Sequence, residues 1–159
     1  MSILEVEIID GGLEDIKIVK QLWLKLVKEM YKIEEFILPD QENVERWAEF
    51  VESVLMTNGE GLLVARTNDK IVGFIFYNPK ASLTLKTGYN IALIYDMYVE
   101  PEYRGKGIGA RLLKECINRL KKHNVKFVRL IVLARNLGAI RFYAKHGFYV
   151  RALSMEKKI

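Results

Sequence analysis

Apolar and polar residues alternate through residues 3–9, "ILEVEII", with the two-residue period of a strand that buries one face. Ile16, Val19, Trp23, Leu26 and Met30 then recur at helical spacing, which predicts an amphipathic helix. Pro39 and Asp40 interrupt it. Val44, Trp47, Ala48, Val51 and Leu55 trace a second helix that ends near Asn58 and Gly59. "GLLVART", "ND" and "KIVGFIFYN" read as a hairpin turned on Asn68 and Asp69, and "PKASLTLKTG" as an exposed connection. From "YNIALIYDMYV" onward the order is strand, glycine-rich loop and a helix over 109–122 carrying Leu112, Leu113, Cys116, Ile117 and Leu120 on one face. Strand "FVRLIVL", a helix over 137–146 and strand "FYVRALSM" follow. The sum predicts a mixed α/β fold with no repeat or linker.

Length agrees with one domain over residues 1–159: half of the residues are apolar, enough for one core and too few for two ordinary ones. The first ten residues carry acids where a secretion signal carries bases. The apolar run "IALIYDMYV" is broken by Asp96 and too short to span a bilayer. A soluble, cytoplasmic protein that does not engage membranes is expected. A single cysteine, Cys116, excludes an internal disulfide. Together with two separated histidines, it leaves no metal-ligand spacing, so no metal is expected.

Charge is divided unevenly. Residues 1–60 hold 14 acids and 6 bases, residues 61–159 hold 6 acids and 19 bases, so the net charges are −8 and +13. A basic half suits an anionic cofactor, a nucleic acid or only a solvated surface.

The stretch "RGKGIGARLL", residues 104–113, places Gly105, Gly107 and Gly109 immediately before a helix. The first N–H groups of a helix have no intrahelical partner and lie at its positive end, while glycines let an anion approach the backbone. Arg104, Lys106 and Arg111 add charge, so the loop suits a phosphate group, although three glycines also serve a tight strand-to-helix connection. Gly105, Gly107 and Ala110 match the dinucleotide fingerprint, but "EPEYR" separates them from the strand. No acid occurs between Glu115 and Glu156 to hold a ribose hydroxyl. The phosphate-loop pattern fails too, since Ile108 stands after "GKG".

"DMYVEPEYRGKGIGARLL" followed by "RNLGAIRFYAKHGF" resembles the GNAT superfamily of acetyl-CoA-dependent N-acetyltransferases, in detail over residues 91–150 and in element order before that. The resemblance implies a central, mostly antiparallel sheet splayed between its fourth and fifth strands and flanked by about four helices, with the thioester in the gap. It implies that Met97, Tyr98 and Val99 line the pantetheine arm. Arg104, Gly105, Lys106, Gly107, Ile108, Gly109 and Ala110 bind the pyrophosphate through main-chain N–H groups. Asn136 and Ala139 fall on the second cofactor motif, and Tyr143 falls where a phenol protonates the departing thiolate. Plainer readings stand beside these: Asn136 as a helix cap, Tyr143 as a core aromatic, and Cys116 as a buried inert thiol. His123 and His146 sit at helix ends, where a cation suits the dipole.

Two positions where the family often carries an acid to take the amine proton are Tyr95 and Ile131 here. Asp96, Tyr95 through a water, or an acid from the N-terminal helices remains as base, and an acceptor amine of low pKa needs little help. Strand alternation puts Tyr95 on the side of Met97 and Val99 and Asp96 on the other, where it also suits a structural role. Acetyl-CoA and an amine acceptor are the expected partners, and the resemblance allows a homodimer. The acids Glu34, Glu35, Asp40 and Glu42 would favour a cationic amine. A CoA-binding sensor without transferase activity is the alternative. A nucleic-acid-binding module using Lys114, Arg119, Lys121, Lys122 and Lys126 lacks a recognition motif, so no nucleic acid is expected.

Overall fold

The computed structural model describes residues 5–159, so the start of the strand expected over 3–9 lies partly outside the described residues. Its described part is β1, Glu7–Asp10. Two long helices follow, α1 over Ile16–Ile33 and α2 over Gln41–Asn58. Asp40 caps α2 by accepting from Asn43 N–H at 2.9 Å, and Gly59 closes it at φ 72°, where a side chain would be strained. Strands β2, Leu62–Thr67, and β3, Lys70–Asn78, form the hairpin. Asn68 and Asp69 both take positive φ, 47° and 63°, as a two-residue turn matching the strand twist requires.

β4 spans Ile91–Val99, α3 Ile108–Leu120, β5 Phe127–Arg129 and α4 Leu137–Lys145. The sheet order is β1-β2-β3-β4-β5, antiparallel except for a parallel β4–β5 pair. Its strands read as apolar runs because both faces are covered. Leu62, Val64, Phe74 and Phe76 face α1 and α2, with Val19, Trp23, Trp47 and Val51. Leu63, Ala65, Val72, Ile75 and Tyr77 face α3, with Leu112, Leu113 and Cys116.

Two features of β4 position the site. Its ladder with β5 holds only from Ile91↔Phe127 to Leu93↔Arg129, after which the strands part. Its ladder with β3 slips between Phe76 and Tyr77: Tyr77 faces Ile94 and Phe76 faces Asp96, leaving Tyr95 as the extra residue of a β-bulge.

The bulge corrects the alternation expected for this strand. Tyr95 packs beside Phe50 and Phe76, on the α1/α2 face with Asp96, while Met97 and Val99 pack on the α3 face. The terminal region differs as well. Residues 130–133 and 148–155, both expected as strand, form none, and Tyr149, Val150, Leu153 and Met155 are exposed. These apolar segments find no ladder partner, and strand propensity alone does not hold a strand.

Gly73 lies where β3 meets β4 most closely: a Cβ there would stand 2.8 Å from the Tyr98 carbonyl oxygen. Gly73→Ala is expected to cost about 1–3 kcal/mol by forcing the strands apart. A lowered urea midpoint with unchanged denaturant slope checks this; an unchanged midpoint would show that β4 moves freely.

Candidate active site

β4 supplies an open backbone edge. Glu100 N–H donates to Val72 O at 2.8 Å, which places Glu100, and by alternation Tyr98 and Asp96, with their backbone groups toward β3. Met97 and Val99 therefore turn theirs toward the side from which β5 has departed. Arg104 occupies one of these groups, its Nε donating to Val99 O at 2.7 Å.

The glycine loop sits beside this edge. Gly105 and Gly107 take φ of 75° and 80°, so each requires a residue without a side-chain penalty in the left-handed region. Gly107 is the N-cap of α3 and brings no capping side chain, so the first N–H groups of the helix, from Ile108, Gly109 and Ala110, face outward. Gly109 lies in the first turn against Met97 and Phe142, which joins loop, strand and α4 at one point.

The basic side chains around this loop behave differently from the sequence expectation. Arg104 is held by Val99 O and by Glu29 at 2.8 Å, over the ring of Tyr98, and its main-chain N–H turns back to Pro101 O. Arg111 donates to Val6 O at 2.6 Å. Both guanidiniums brace the loop, and Lys106 lies over the ring of Tyr103. Arg119, in the basic patch, is paired with Asp10 and Glu115.

Asp96 occupies the bulge. Trp47 Nε1 donates to one carboxylate oxygen at 2.8 Å and Trp23 Nε1 to the other at 3.3 Å, and the two indoles stack with centroids 5.3 Å apart. Burial pushes the Asp96 carboxyl up from 3.8 to about 6, against the two indole bonds that pull it down. Sequence periodicity identified both tryptophans as core and missed their second task. The available signal was chemical: a buried indole N–H needs an acceptor, and Asp96 is the carboxylate in an otherwise apolar strand.

Tyr143 packs between Phe142 and Phe148 from the other side of the opening. Burial, then the nearby Asp96 carboxylate and Cys116, raise its phenol to about 12, so it stays protonated at neutral pH. Asn136 caps α4 by accepting from Ala139 N–H at 3.2 Å, while its Nδ2 faces Met30 Sδ at 3.7 Å and so ties α4 to the end of α1. Cys116 is fully buried, its thiol raised to about 12 by that burial. His146 Nδ1 contacts Phe142 O, and His123 pairs with Glu60; neither enters the opening. Ile131 is exposed. A hollow of 710 Å³ lies at the Ile91 end of β4, between the 79–91 connection and His123, away from this chemistry. Among the described residues no group of three or more His, Cys, Asp or Glu is arranged to hold a metal, and no helix is long and apolar enough to cross a membrane.

The Acetyltransferase (GNAT) family model matches residues 25–148, and the chain belongs to that family. An uncharacterized N-acetyltransferase of Methanocaldococcus jannaschii is 35% identical over 104 residues, which are 65% of this chain and 46% of that protein. The chain thus matches under half the length of that relative. A spermidine N(1)-acetyltransferase of Thermoplasma acidophilum is 35% identical over 101 residues, 60% of this chain and 58% of that one. Among solved structures, a Pyrococcus furiosus protein provisionally assigned as an acetyl transferase superposes with a TM-score of 0.74 at 31% identity, covering 98% and 100% of the two chains. The PaiA N-acetyltransferase of Thermoplasma acidophilum in complex with coenzyme A gives 0.70 at 25% identity, covering 95% and 94%.

The raised Asp96 carboxyl has a thermodynamic signature. Between about pH 3.8 and 6 the folded chain holds its proton and the unfolded chain has lost it, so stability falls as pH rises through this window. The loss amounts to roughly 3 kcal/mol. In urea unfolding at a series of pH values, Asp96→Asn is expected to lack this decline. A slope equal to that of the wild type would assign the decline to other carboxyls.

Proposed function

We propose that the chain is an N-acetyltransferase that moves the acetyl group of acetyl-CoA directly to a primary amine in a ternary complex, working as a single domain in the cytoplasm. What supports the reading is that β4 parts from β5 after Leu93, that Met97 and Val99 turn their backbone groups to that side, that the first turn of α3 lies against Met97 at Gly109, and that the Asp96 carboxylate is near enough to raise the Tyr143 phenol. The N–H groups of residues 105–110 would take the pyrophosphate, with the α3 dipole favouring its charge. Met97, Tyr98 and Val99 would flank the pantetheine, with a main-chain N–H polarising the acetyl carbonyl, and Asn136 and Ala139 would close the far wall.

The amine nitrogen attacks the thioester carbon, the C–S bond breaks, and an amide and CoA thiol are formed. The amine proton passes to Asp96, directly or through a water that Tyr95 can orient, and the Tyr143 phenol protonates the sulfur. The two groups assist each other. Burial is the main reason the Tyr143 phenol is raised, and protonating Asp96 would remove a smaller contribution, that of its charge, so the acid would strengthen somewhat as the base is used. The acceptor is a primary amine: a small cationic amine, a polyamine or a peptide amine. The spermidine acetyltransferase relative supports a polyamine, and the acids of the first helices support any cation.

A sensor that binds acetyl-CoA without turnover has one observation in its favour, since both Asp96 oxygens already accept an indole N–H. Thiol release with an amine panel, together with CoA protection against thermal unfolding, separates the readings. Tyr143→Phe is expected to lower kcat by roughly 10²-fold and leave CoA protection intact. Wild type and variant both protected by CoA, yet equally inactive with every amine, would establish the sensor. No protection by CoA would overturn the acetyl-CoA reading itself.

A further inference from the structure

Resting on that reading, we infer that the acceptor is the free α-amine of a peptide whose first residue is bulky and apolar. The observation is an apolar margin on the amine side of Asp96. Phe36, Ile37 and Leu38 are exposed by 79%, 51% and 53% in the connection between α1 and α2, and Phe50 by 43% on α2. Asn43 Nδ2 holds Leu38 O at 2.9 Å, and Asn43 precedes Trp47 by one helical turn, ~6 Å along α2. Phe50 lies nearly one turn beyond Trp47 and meets Tyr95 at 5.0 Å between ring centroids. The connection and Phe50 therefore flank the Trp47–Asp96 bond on either side. Leu137, 56% exposed, follows Asn136, which touches Met30 near the end of α1.

Exposed apolar side chains that adjoin one another on a surface mark a place that takes an apolar ligand. Charge supplies the second requirement. Glu34 and Glu35 directly precede Phe36, and Asp96 ends the path, so the ligand presents a cation to carboxylates and an apolar group to the margin. A polyamine, charged along its whole length, would leave the margin unused.

The chemistry of the base selects among amines. An α-amino group has a pKa of about 7.7–8.0 and a lysine amine about 10.4. At neutral pH roughly a tenth of α-amine is already nucleophilic, whereas only about one lysine amine in a few thousand is. Asp96, bonded to two indoles, suits an amine that needs little deprotonation. The transfer converts the peptide α-amine and acetyl-CoA to the Nα-acetyl peptide and CoA thiol, the displaced proton ending on the sulfur.

The test is thiol release with acetyl-CoA and short peptides of one sequence beginning with Phe, Leu, Met, Gly or Asp, with Nα-blocked lysine and spermidine as further arms. Wild type and Phe36→Ala are compared, with Phe50→Ala as second variant. The expected result is that Phe-, Leu- and Met-initial peptides give the highest kcat/KM. Each variant should lower these values by about tenfold, leaving KM for acetyl-CoA unchanged. Spermidine or blocked lysine surpassing the apolar peptides, or equal rates for Gly- and Phe-initial peptides, would overturn the inference and leave the transferase reading standing. Turnover of no amine despite CoA protection would overturn both.

Discussion

The contact on which the rest of this structure depends is the bond pair that Trp23 and Trp47 make to Asp96. A carboxylate in an apolar strand is costly unless donors meet it, and here the donors come from both long helices. The clamp joins α1 and α2 to β4 at one point, and the stacked indoles fill the space above the sheet. It also fixes the position of a carboxyl whose proton affinity has been raised by burial.

The bulge makes the clamp geometrically consistent. Were Tyr95 paired like its neighbours, unbroken alternation would turn Asp96 to the same face as Ile94, against α3. With the bulge, Asp96 reaches the indoles while Met97 and Val99 keep the α3 face and open their backbone groups to the gap. The three-pair ladder to β5 then ends, which leaves this edge uncovered opposite Tyr143 and beside the α3 N-terminus. An unpaired strand edge is a liability in most sheets and becomes a binding feature where a ligand with amide groups completes it. Family membership agrees with this architecture, and the geometry shows how this chain's own residues assemble it.

Much of this was legible in the residues. The period of α1 and α2, the break at Pro39 and Asp40, the Asn68-Asp69 turn and the glycine loop follow from local rules, and each acts within a few residues. The features that escaped are those set by tertiary partners. Nothing local marks Tyr95 as a bulge, because the slip belongs to its pairing with β3. Arg104 and Arg111 read as free phosphate-binding charges, but Glu29 and two carbonyl oxygens, distant in sequence or turned inward, hold them. Residues 149–155 continue an apolar-rich segment that reads as a strand, and with no ladder partner they remain exposed. The helix-capping role of Asn136 and the inert burial of Cys116 match their plain local readings.

The most direct measurement is a calorimetric titration of the protein with CoA and, separately, with pantetheine, which lacks the pyrophosphate and nucleotide. The account predicts saturable one-to-one binding of CoA, with pantetheine weaker by at least tenfold, because the α3 N-terminus supplies affinity only to the phosphate-bearing ligand. Equal affinity for the two, or no binding of CoA, would contradict the assignment of this opening to acetyl-CoA.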